Sequence, residues 1–386
     1  MAPHLLKYVS PPASDAAGQA NSPMPFPRSA LYPDIEPFAT GMLDVGDGHR
    51  LYWEQCGNPN GIPAIFLHGG PGAGCDERSR RFFDPSVYRI VIFDQRGSGR
   101  SIPNAAIDLA GSLVAQNTAA LVQDIEQLRE ALEIPQWGLI LGGSWGSTLA
   151  LAYAQQYPSM CRAIVLRGVF LFGADEVDYL FSKGGTYGQN PAAWETYKRF
   201  IQDTSNDWEA EQHELLEAYW RRLSSEDANV REAAAAAFVG YELSISKTFI
   251  DHAVIEKYLG TPSMLIPFAV MEVHYMRNAG FLHPQQLLSG VQAMVHHGHR
   301  VSIVHGRADY VCQPHAAYRL SLALEEAGAV AIVAGTDEAA NQCAKEEGAT
   351  VELEFIAGAG HSDSEPGIAD ALIRVTDKLR PFLLSK

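Results

Sequence analysis

Four glycine-containing stretches hold the groups that could perform nucleophilic catalysis, and the first that we describe carries a serine. The sequence GGSWG at 142–146 places Ser144 between small residues, after the apolar run WGLIL and before the helix-like run STLALAYAQ. A hydroxyl on such a strand-to-helix turn, the G-x-S-x-G pattern, is typical of a serine nucleophile. A plain glycine turn with a surface serine is the alternative, and the flanking strand and helix patterns argue against it.

A base and an acid follow further along the chain. A serine hydroxyl becomes nucleophilic when a base removes its proton. His361 lies in GAGHS (358–362) after the last predicted strand, and Asp309 lies in GRAD (306–309) after the apolar run VSIVH. The chain order Ser144, Asp309, His361 is the order of an α/β-hydrolase triad and differs from that of other serine-protease folds. We therefore predict Ser144 as nucleophile, His361 as general base and Asp309 as the orienting acid.

The glycine-rich loop HGGPGAG (68–74) follows the apolar run AIFL. Glycines leave backbone N–H groups accessible to the oxyanion that develops on a substrate carbonyl, and each such donor typically lowers the barrier by about 3–4 kcal/mol. The N–H of Trp145, the residue after the serine, is the expected second donor. A phosphate-binding loop is the competing interpretation, but neither GxxxxGK[ST] nor GxGxxG fits.

The elements that must position these residues alternate between strand and helix patterns. Residues 41–56 alternate around a GDG turn and predict a β-hairpin, while 117–132 and 147–156 have helical spacing. After Gly168 the strand-like runs stop, and 207–223 and 232–249 are the clearest helices of the next segment. The predicted buried strands are Ala64–Leu67, Arg89–Phe93, Gly138–Leu141, Ala163–Leu166, Val301–Val304 and Val351–Phe355.

This pattern predicts an α/β-hydrolase fold with a mostly parallel central sheet. Its catalytic domain is expected to comprise residues 31–172 and 291–386, and an all-helical cap domain is expected at 173–290. Residues 1–30 contain several Pro, Ser and Ala residues and are interpreted as a disordered arm. Residues 325–349 are interpreted as an added strand and helix between Asp309 and His361.

The amino-acid composition of the chain limits the kinds of molecule that it is expected to bind. The chain has 29 basic and 45 acidic residues and a net charge of −16, which argues against nucleic-acid or anionic-membrane partners because these favour a basic face. Five dispersed cysteines without a CxxC pair, and no signal-like apolar run near the start, favour a cytoplasmic protein. The HHGH stretch at 296–299 is interpreted as a polar turn and not a metal site, so no metal is expected. The oligomeric state is left open.

Taken together, these motifs resemble those of the proline iminopeptidase (prolyl aminopeptidase) family of α/β-hydrolases. The resemblance spans roughly residues 32–384. It implies a serine aminopeptidase that releases N-terminal proline from peptides without a cofactor, with Gly70 and Trp145 as oxyanion donors. The similar stretches are LYWEQCGNPNGIP (51–63), LHGGPGAG (67–74), FDQRGSGRS (93–101), GGSWGSTLALAYAQ (142–155), LRGVFLF (166–172), HGRADYVCQP (305–314) and GAGHS (358–362).

The resemblance also implies two cap glutamates that bind the free amino terminus of the substrate. AFVGYE (237–242) makes Glu242 the first, AVMEVHYMRNAGF (269–281) makes Glu272 the second, and Phe170 would line the proline pocket. An enzyme that acts on chain ends must recognise the terminal positive charge. A carboxylate about 4 Å away contributes about 4 kcal/mol at an effective dielectric of 20, before desolvation. Ordinary solvated helix residues are the alternative interpretation of both glutamates.

A carboxylesterase or amidase acting on small uncharged substrates is the alternative function. Such an enzyme would share the triad and would not need the cap acids. A non-catalytic receptor or scaffold of the same fold is a third possibility, which the intact triad argues against.

Overall fold

The computed structural model describes residues 31–332, 334 and 348–385. Within these residues a nine-stranded sheet has the spatial order β1-β2-β4-β3-β5-β6-β7-β9-β8. The predicted α/β-hydrolase fold is confirmed, with a mostly parallel sheet. The strands are β1 (Ala39–Gly46), β2 (His49–Gly57), β3 (Ile62–Leu67), β4 (Tyr88–Phe93), β5 (Trp137–Gly143), β6 (Cys161–Arg167), β7 (Arg300–Gly306), β8 (Val330–Ile332) and β9 (Thr350–Ile356).

The sheet changes from antiparallel to parallel pairing at β4. The hairpin of β1 and β2 and the pairing of β2 with β4 are antiparallel, whereas every further pair in the sheet is parallel. All seven residues of β5 are buried, as expected for a parallel strand covered on both faces. The hairpin and the six predicted strands are all present, although residues 353–355 at the end of the last predicted strand are only partly buried.

Helices cover both faces of the sheet and fill the segment between β6 and β7. They are α1 (Leu109–Ser112), α2 (Thr118–Ala131), α3 (Trp145–Gln156), α4 (Ala174–Val177), α5 (Pro191–Thr204), α6 (Trp208–Glu211), α7 (Leu215–Leu223), α8 (Ala228–Ile245), α9 (His252–Leu259), α10 (Pro262–Arg277), α11 (Gln286–Ser289), α12 (Val291–His296), α13 (Pro314–Glu326), α14 (Pro366–Lys378) and α15 (Arg380–Leu384). Short 3₁₀ turns lie at Glu77–Phe82, Pro158–Met160, Gly185–Gly188 and Ala279–Phe281, and a π turn lies at Asp178–Ser182.

The helices α4 to α12, which we call the helical segment, form an aromatic core of their own. The ring of Tyr197 stacks 4.6 Å from that of Tyr219 and lies 4.6 Å from that of Tyr241. The segment also packs on the sheet domain, since the ring of Tyr275 on α10 lies 4.5 Å from that of Trp145 on α3. The segment therefore covers the edge of the sheet where the parallel strands end.

Two helix predictions in this segment were wrong in detail. The predicted helix 207–223 is broken into α6 and α7, and the Glu211 carboxylate contacts both Arg221 (2.8 Å) and Arg222 (2.8 Å). In a continuous helix, residues ten apart are separated by about 15 Å along the axis, so the break allows these ion pairs. The predicted helix 232–249 is α8, which begins earlier because Asp227 caps it through the N–H of Asn229.

Two other predicted segments lie partly or wholly outside the described residues. The arm at 1–30 lies outside them. Of the predicted insertion at 325–349, the strand is present as β8, which pairs in parallel with the outer side of β9. Residues 333 and 335–347, which include most of the rest of the predicted insertion, lie outside the described residues. No helix among the described residues is long and apolar enough to cross a membrane.

Candidate active site

The predicted nucleophile lies on a strained turn between β5 and α3. Ser144 has a φ of 57° and a ψ of −125°, a conformation that L-residues rarely adopt. Its neighbours have no room for a side chain, because a Cβ on Gly142 would lie 2.1 Å from the Gly146 oxygen and one on Gly146 would lie 2.1 Å from the Leu67 oxygen. The small residues of G-x-S-x-G are therefore required by close backbone packing around the serine.

The predicted acid and base meet at the ends of β7 and β9. The Nδ1 atom of His361 lies 2.8 Å from Oδ2 of Asp309. The other Asp309 oxygen accepts hydrogen bonds from the backbone N–H groups of Val311 (2.9 Å) and Cys312 (2.8 Å). Burial alone would raise the pKa of Asp309, but the nearby His361 and these hydrogen bonds hold it below its ordinary value. Asp309 is therefore a buried, ionised partner for the imidazole.

A second histidine, which the sequence analysis did not assign, lies behind this acid. His305 is fully buried on β7, and its Nε2 lies 2.8 Å from the Cys312 oxygen and 3.4 Å from Oδ2 of Asp309. Its Nδ1 accepts the N–H of Val169 at 3.2 Å, so the proton must be on Nε2. Burial lowers the pKa of His305 and keeps it neutral. His305 opens the HGRADYVCQP stretch, which is the only sequence signal for it.

Arg167, at the end of β6, is a second residue that the sequence analysis missed. Its Nη1 lies 3.0 Å from Nε2 of His361 and donates to the His361 carbonyl at 3.2 Å. A guanidinium can only donate, so His361 Nε2 is an acceptor and its proton is on Nδ1, towards Asp309. Among the described residues no hydrogen bond joins Ser144 Oγ to His361. Arg167 therefore contacts the nitrogen that would take the serine proton, and it would have to shift for that transfer.

The glycine-rich loop lies beside the nucleophile. A Cβ on Gly69 would lie 3.3 Å from the Ser144 Cβ, and Gly70 has a φ of +100°, with no room for a side chain beside Gly72. Trp145 is the first residue of α3, and the first N–H groups of a helix have no partner within it. The Trp145 indole donates to Gln95 at 2.8 Å, which fixes the start of α3. Both predicted oxyanion donors thus belong to backbone adjoining Ser144.

The two predicted cap glutamates lie together, and neither is solvated. Glu242 on α8 is 6% exposed and Glu272 on α10 is 1% exposed, so the interpretation of both as ordinary surface residues is wrong. Their carboxyl groups are hydrogen-bonded to each other, and the Oε2 atom of each has no hydrogen-bond partner among the described residues. Glu242 lies four residues before Ser246, whose carbonyl accepts the N–H of His361 at 2.9 Å, so the pair lies near the predicted base.

Burial sets the charge of this glutamate pair. Burial raises the pKa of Glu242, and the hydrogen bond from Glu272 and the charge of His361 oppose that effect. Burial and the negative charge of Glu242 together raise the pKa of Glu272 well above its ordinary value. Two carboxylates in contact away from water cannot both ionise without a large cost. Burial and mutual repulsion therefore favour a state in which the two groups share one proton.

Phe170 lies just beyond β6 and is 2% exposed. Its N–H donates to Ser147 Oγ at 3.1 Å and its carbonyl accepts from Thr148 Oγ1 at 2.7 Å, so its backbone is held by the first turn of α3. Its ring lies 4.5 Å from that of Phe172, which in turn lies 5.6 Å from Trp145. An aromatic wall therefore adjoins the helix that begins at the nucleophile.

No group of three or more His, Cys, Asp or Glu side chains among the described residues could hold a metal ion. In the HHGH stretch, the His299 ring is buried and contacts the Pro158 carbonyl at 2.7 Å.

The fold and the turn at Ser144 define the class of protein. The family described as alpha/beta hydrolase fold matches residues 63–321. A putative lipase from Acinetobacter baumannii AYE superposes with a TM-score of 0.55 at 16% identity, covering 91% of each chain. A proline iminopeptidase-related protein from Thermus thermophilus superposes with a TM-score of 0.52 at 18% identity, covering 89% of this chain and 99% of that one. The protein is an α/β-hydrolase.

Closer relatives define the family. A proline iminopeptidase from Xylella fastidiosa is 42% identical over 348 residues, covering 90% of this chain and 98% of the relative. A proline iminopeptidase from Arabidopsis thaliana is 39% identical over 357 residues, covering 92% of this chain and 83% of the relative. A third proline iminopeptidase, from Neisseria gonorrhoeae, is 37% identical over 354 residues, covering 92% of this chain and 100% of the relative. The chain belongs to the proline iminopeptidase family, as its motifs predicted.

Proposed function

We propose that this protein is a serine aminopeptidase that releases N-terminal proline from peptides. The observation that carries the proposal is the buried pair of Glu242 and Glu272 next to the catalytic base. The family relationship supports the same activity, because the curated relatives are named proline iminopeptidases. Residues 173–290 would act as the cap over a catalytic domain formed by 31–172 and 291–386.

The chemistry of the pair matches the terminus of a prolyl peptide. An N-terminal proline carries a secondary ammonium group with one positive charge and two N–H donors. Glu242 and Glu272 each have one Oε2 atom without a partner among the described residues, so the two donors could each find an acceptor. Binding the cation would replace the shared proton and remove the repulsion between the two carboxylates. Phe170 would contact the pyrrolidine ring.

The remaining residues supply acyl-transfer chemistry. After Arg167 shifts from His361, the imidazole takes the proton of Ser144 as the hydroxyl attacks the prolyl carbonyl. The N–H groups of Gly70 and Trp145 stabilise the oxyanion. The imidazolium, stabilised by Asp309, protonates the departing amine. In the second step, His361 takes a proton from water as the water attacks the prolyl-enzyme, and it then returns a proton to the Ser144 oxygen as proline leaves.

Product analysis tests this proposal. The purified protein, incubated with a peptide that begins with proline, should release free proline and the shortened peptide and leave internal bonds intact. A fluorophosphonate probe should label the wild type and fail to label Ser144→Ala, which should release no proline. Release of proline by Ser144→Ala, or cleavage at internal bonds by the wild type, would refute the proposal.

A further inference from the structure

Residues 168–173, which we call the wall segment, follow β6 and run beside the active site. A Cβ on Gly168 would lie 2.8 Å from the ring of the catalytic histidine. The N–H of Phe170 donates to Ser147 Oγ at 3.1 Å, and that hydroxyl donates to the Ser144 carbonyl at 2.7 Å. The wall segment therefore contacts both the base and the turn that carries the nucleophile.

The end of the wall segment is held by a buried carboxylate that the triad does not use. Glu176 on α4 is 3% exposed. Its Oε1 accepts the N–H of Leu171 at 3.3 Å, and its Oε2 accepts the N–H of Gly173 at 2.8 Å. Phe172, between these two residues, has a φ of 56°, which L-residues rarely adopt. One carboxylate therefore bridges both sides of a left-handed turn.

This bridge is more than a helix cap. A glutamate at the third position of a helix commonly accepts the N–H of the capping residue, which for α4 is Gly173. However, α4 has four residues, and the second hydrogen bond, from Leu171, comes from outside the helix. Burying a carboxylate is costly unless its contacts compensate. The two contacts therefore indicate that Glu176 holds the turn as well as the helix.

The turn sets the position of two aromatic rings. The ring of Phe172 lies 4.5 Å from that of Phe170 and 5.6 Å from that of Trp145, whose N–H is the predicted oxyanion donor. A Cβ on Gly280 would lie 2.9 Å from the Phe172 ring, so this ring packs directly on backbone. A shift of Phe172 would therefore displace Phe170, the ring that would contact the proline.

We propose that Glu176 is a positioning residue of the active site, whose carboxylate fixes the turn at 171–173 and so sets the rings of Phe170 and Phe172 for the N-terminal proline. The inference rests on the proposed aminopeptidase function. Glu176 acts through these rings and not on the scissile bond. Its loss should therefore raise KM for prolyl substrates more than it lowers kcat.

The charge of Glu176 depends on pH in the neutral range. Burial raises the pKa of Glu176 to about 7, and the hydrogen bonds from Gly173 and Leu171 oppose this effect. The charge of Asp175 on α4 also raises this pKa, and the charge of Arg319 on α13 lowers it. Above about pH 7 the ionised carboxylate can accept both N–H groups. Below it, one oxygen carries a proton and accepts an N–H only weakly.

Two further titratable groups lie around this carboxyl. His315 on α13 lies 3.5 Å from the carboxylate of Asp175, and Arg319 lies 3.8 Å from the same carboxylate. Burial raises the pKa of Cys312 well above its ordinary value, and the charge of Glu176 adds to that effect. Cys312 therefore remains a neutral thiol when Glu176 ionises.

Glu176→Gln tests the assignment, because the amide has the shape of the carboxyl group but only one acceptor oxygen. We would measure kcat/KM for prolyl anilide from pH 5.5 to pH 8.5, with Glu232→Gln as the control for loss of an exposed acid. At pH 8.5 the wild type should exceed Glu176→Gln by about tenfold, mainly through KM. At pH 5.5 the two should converge, because the wild-type carboxyl is then protonated. Glu232→Gln should match the wild type at every pH.

A neutral ester without a ring separates positioning from folding. Wild type and Glu176→Gln should hydrolyse p-nitrophenyl acetate at equal rates, since its acyl group does not fill the pocket. Equal losses on the ester and the anilide, or a ratio on the anilide that does not change with pH, would overturn the proposal for Glu176 alone. Failure of the wild type to cleave the anilide would instead refute the aminopeptidase function.

Asp175→Asn gives a second test that leaves Glu176 in place and does not depend on how well Glu176→Gln folds. Removing the charge of Asp175 should lower the pKa of Glu176 and so increase its ionised fraction. The variant should cleave prolyl anilide faster than the wild type near pH 6.5 and at the same rate at pH 8.5. Equal rates at both pH values would contradict the role assigned to Glu176.

Discussion

The buried carboxyl pair shows how single residues connect stability to recognition. Glu242 and Glu272 are held out of water by the helical segment, at a cost in folding free energy that a shared proton reduces. Under the proposed function, the same arrangement favours the binding of a cation between the two carboxyl groups. The positions of both glutamates were predicted from family motifs. The contact between the two carboxyl groups was not predicted, because it depends on how α8 and α10 pack against each other.

The pH dependence of stability follows from the pair. A carboxyl group whose folded-state pKa is raised stabilises the fold at pH values below its unfolded pKa of about 4.3, and this contribution is lost as the pH rises through the folded pKa. In urea unfolding from pH 5 to pH 8, the stability of Glu272→Gln should therefore rise relative to that of the wild type. The relative gain should be about 1.4 kcal/mol or more, since each unit of pKa corresponds to about that free energy. Parallel pH curves for the two proteins would contradict a shared proton.

The same substitution should reveal the role of the pair in substrate binding. Glu272→Gln removes one charge that faces the substrate cation, so kcat/KM for prolyl anilide should fall by about 30-fold, mainly through KM. A neutral ester should lose little. Glu232→Gln, which changes an exposed acid on α8, is the matched control. Equal losses on both substrates would show that Glu272 is only structural.

At the scale of elements, strand order brings the active site together. β5, β6, β7 and β9 are adjacent and parallel, so the residues at their carboxyl ends, Ser144, Arg167, Asp309 and His361, meet at one edge of the sheet. The sequence predicted the loops that follow β5, β7 and β9. It did not reveal the contacts of Arg167 and His305, because these depend on the pairing of β6 with β7. It also did not reveal that β8 occupies the edge, which leaves β9 beside β7.

A buried ion pair ties α2 to the loop after β4. Arg96 donates to both oxygens of Asp124, at 2.7 and 2.8 Å, and Asp124 is fully buried. Asp124→Asn should lower the free energy of unfolding by about 3–5 kcal/mol, because it removes the buried negative charge that faces the buried guanidinium. Asp47 contacts the same arginine at 3.2 Å but is half exposed, so Asp47→Asn should cost less than about 1 kcal/mol. Urea unfolding measures both, and similar losses would contradict this assignment.

At the scale of the whole molecule, the helical segment supports the catalytic loops as well as covering them. The Ser246 carbonyl at the end of α8 accepts the N–H groups of His361 and Ser362, both at 2.9 Å. On the other side, a Cβ on Gly72 would lie 2.4 Å from the Pro267 carbonyl on α10. The sequence pattern predicted the helical character of this segment. Its contacts with the loops could not be predicted, because single backbone groups far apart in the chain make them.

Recognition of the free amino terminus is the central claim, and one comparison tests it most directly. The measurement is kcat/KM for prolyl anilide against N-acetylprolyl anilide, at a pH where the prolyl nitrogen is protonated. Acetylation removes the positive charge and the N–H donors and leaves the scissile bond unchanged. The account predicts that the free form is cleaved at least about 100-fold faster. Equal rates would contradict it and would indicate an esterase or amidase that does not use the glutamate pair.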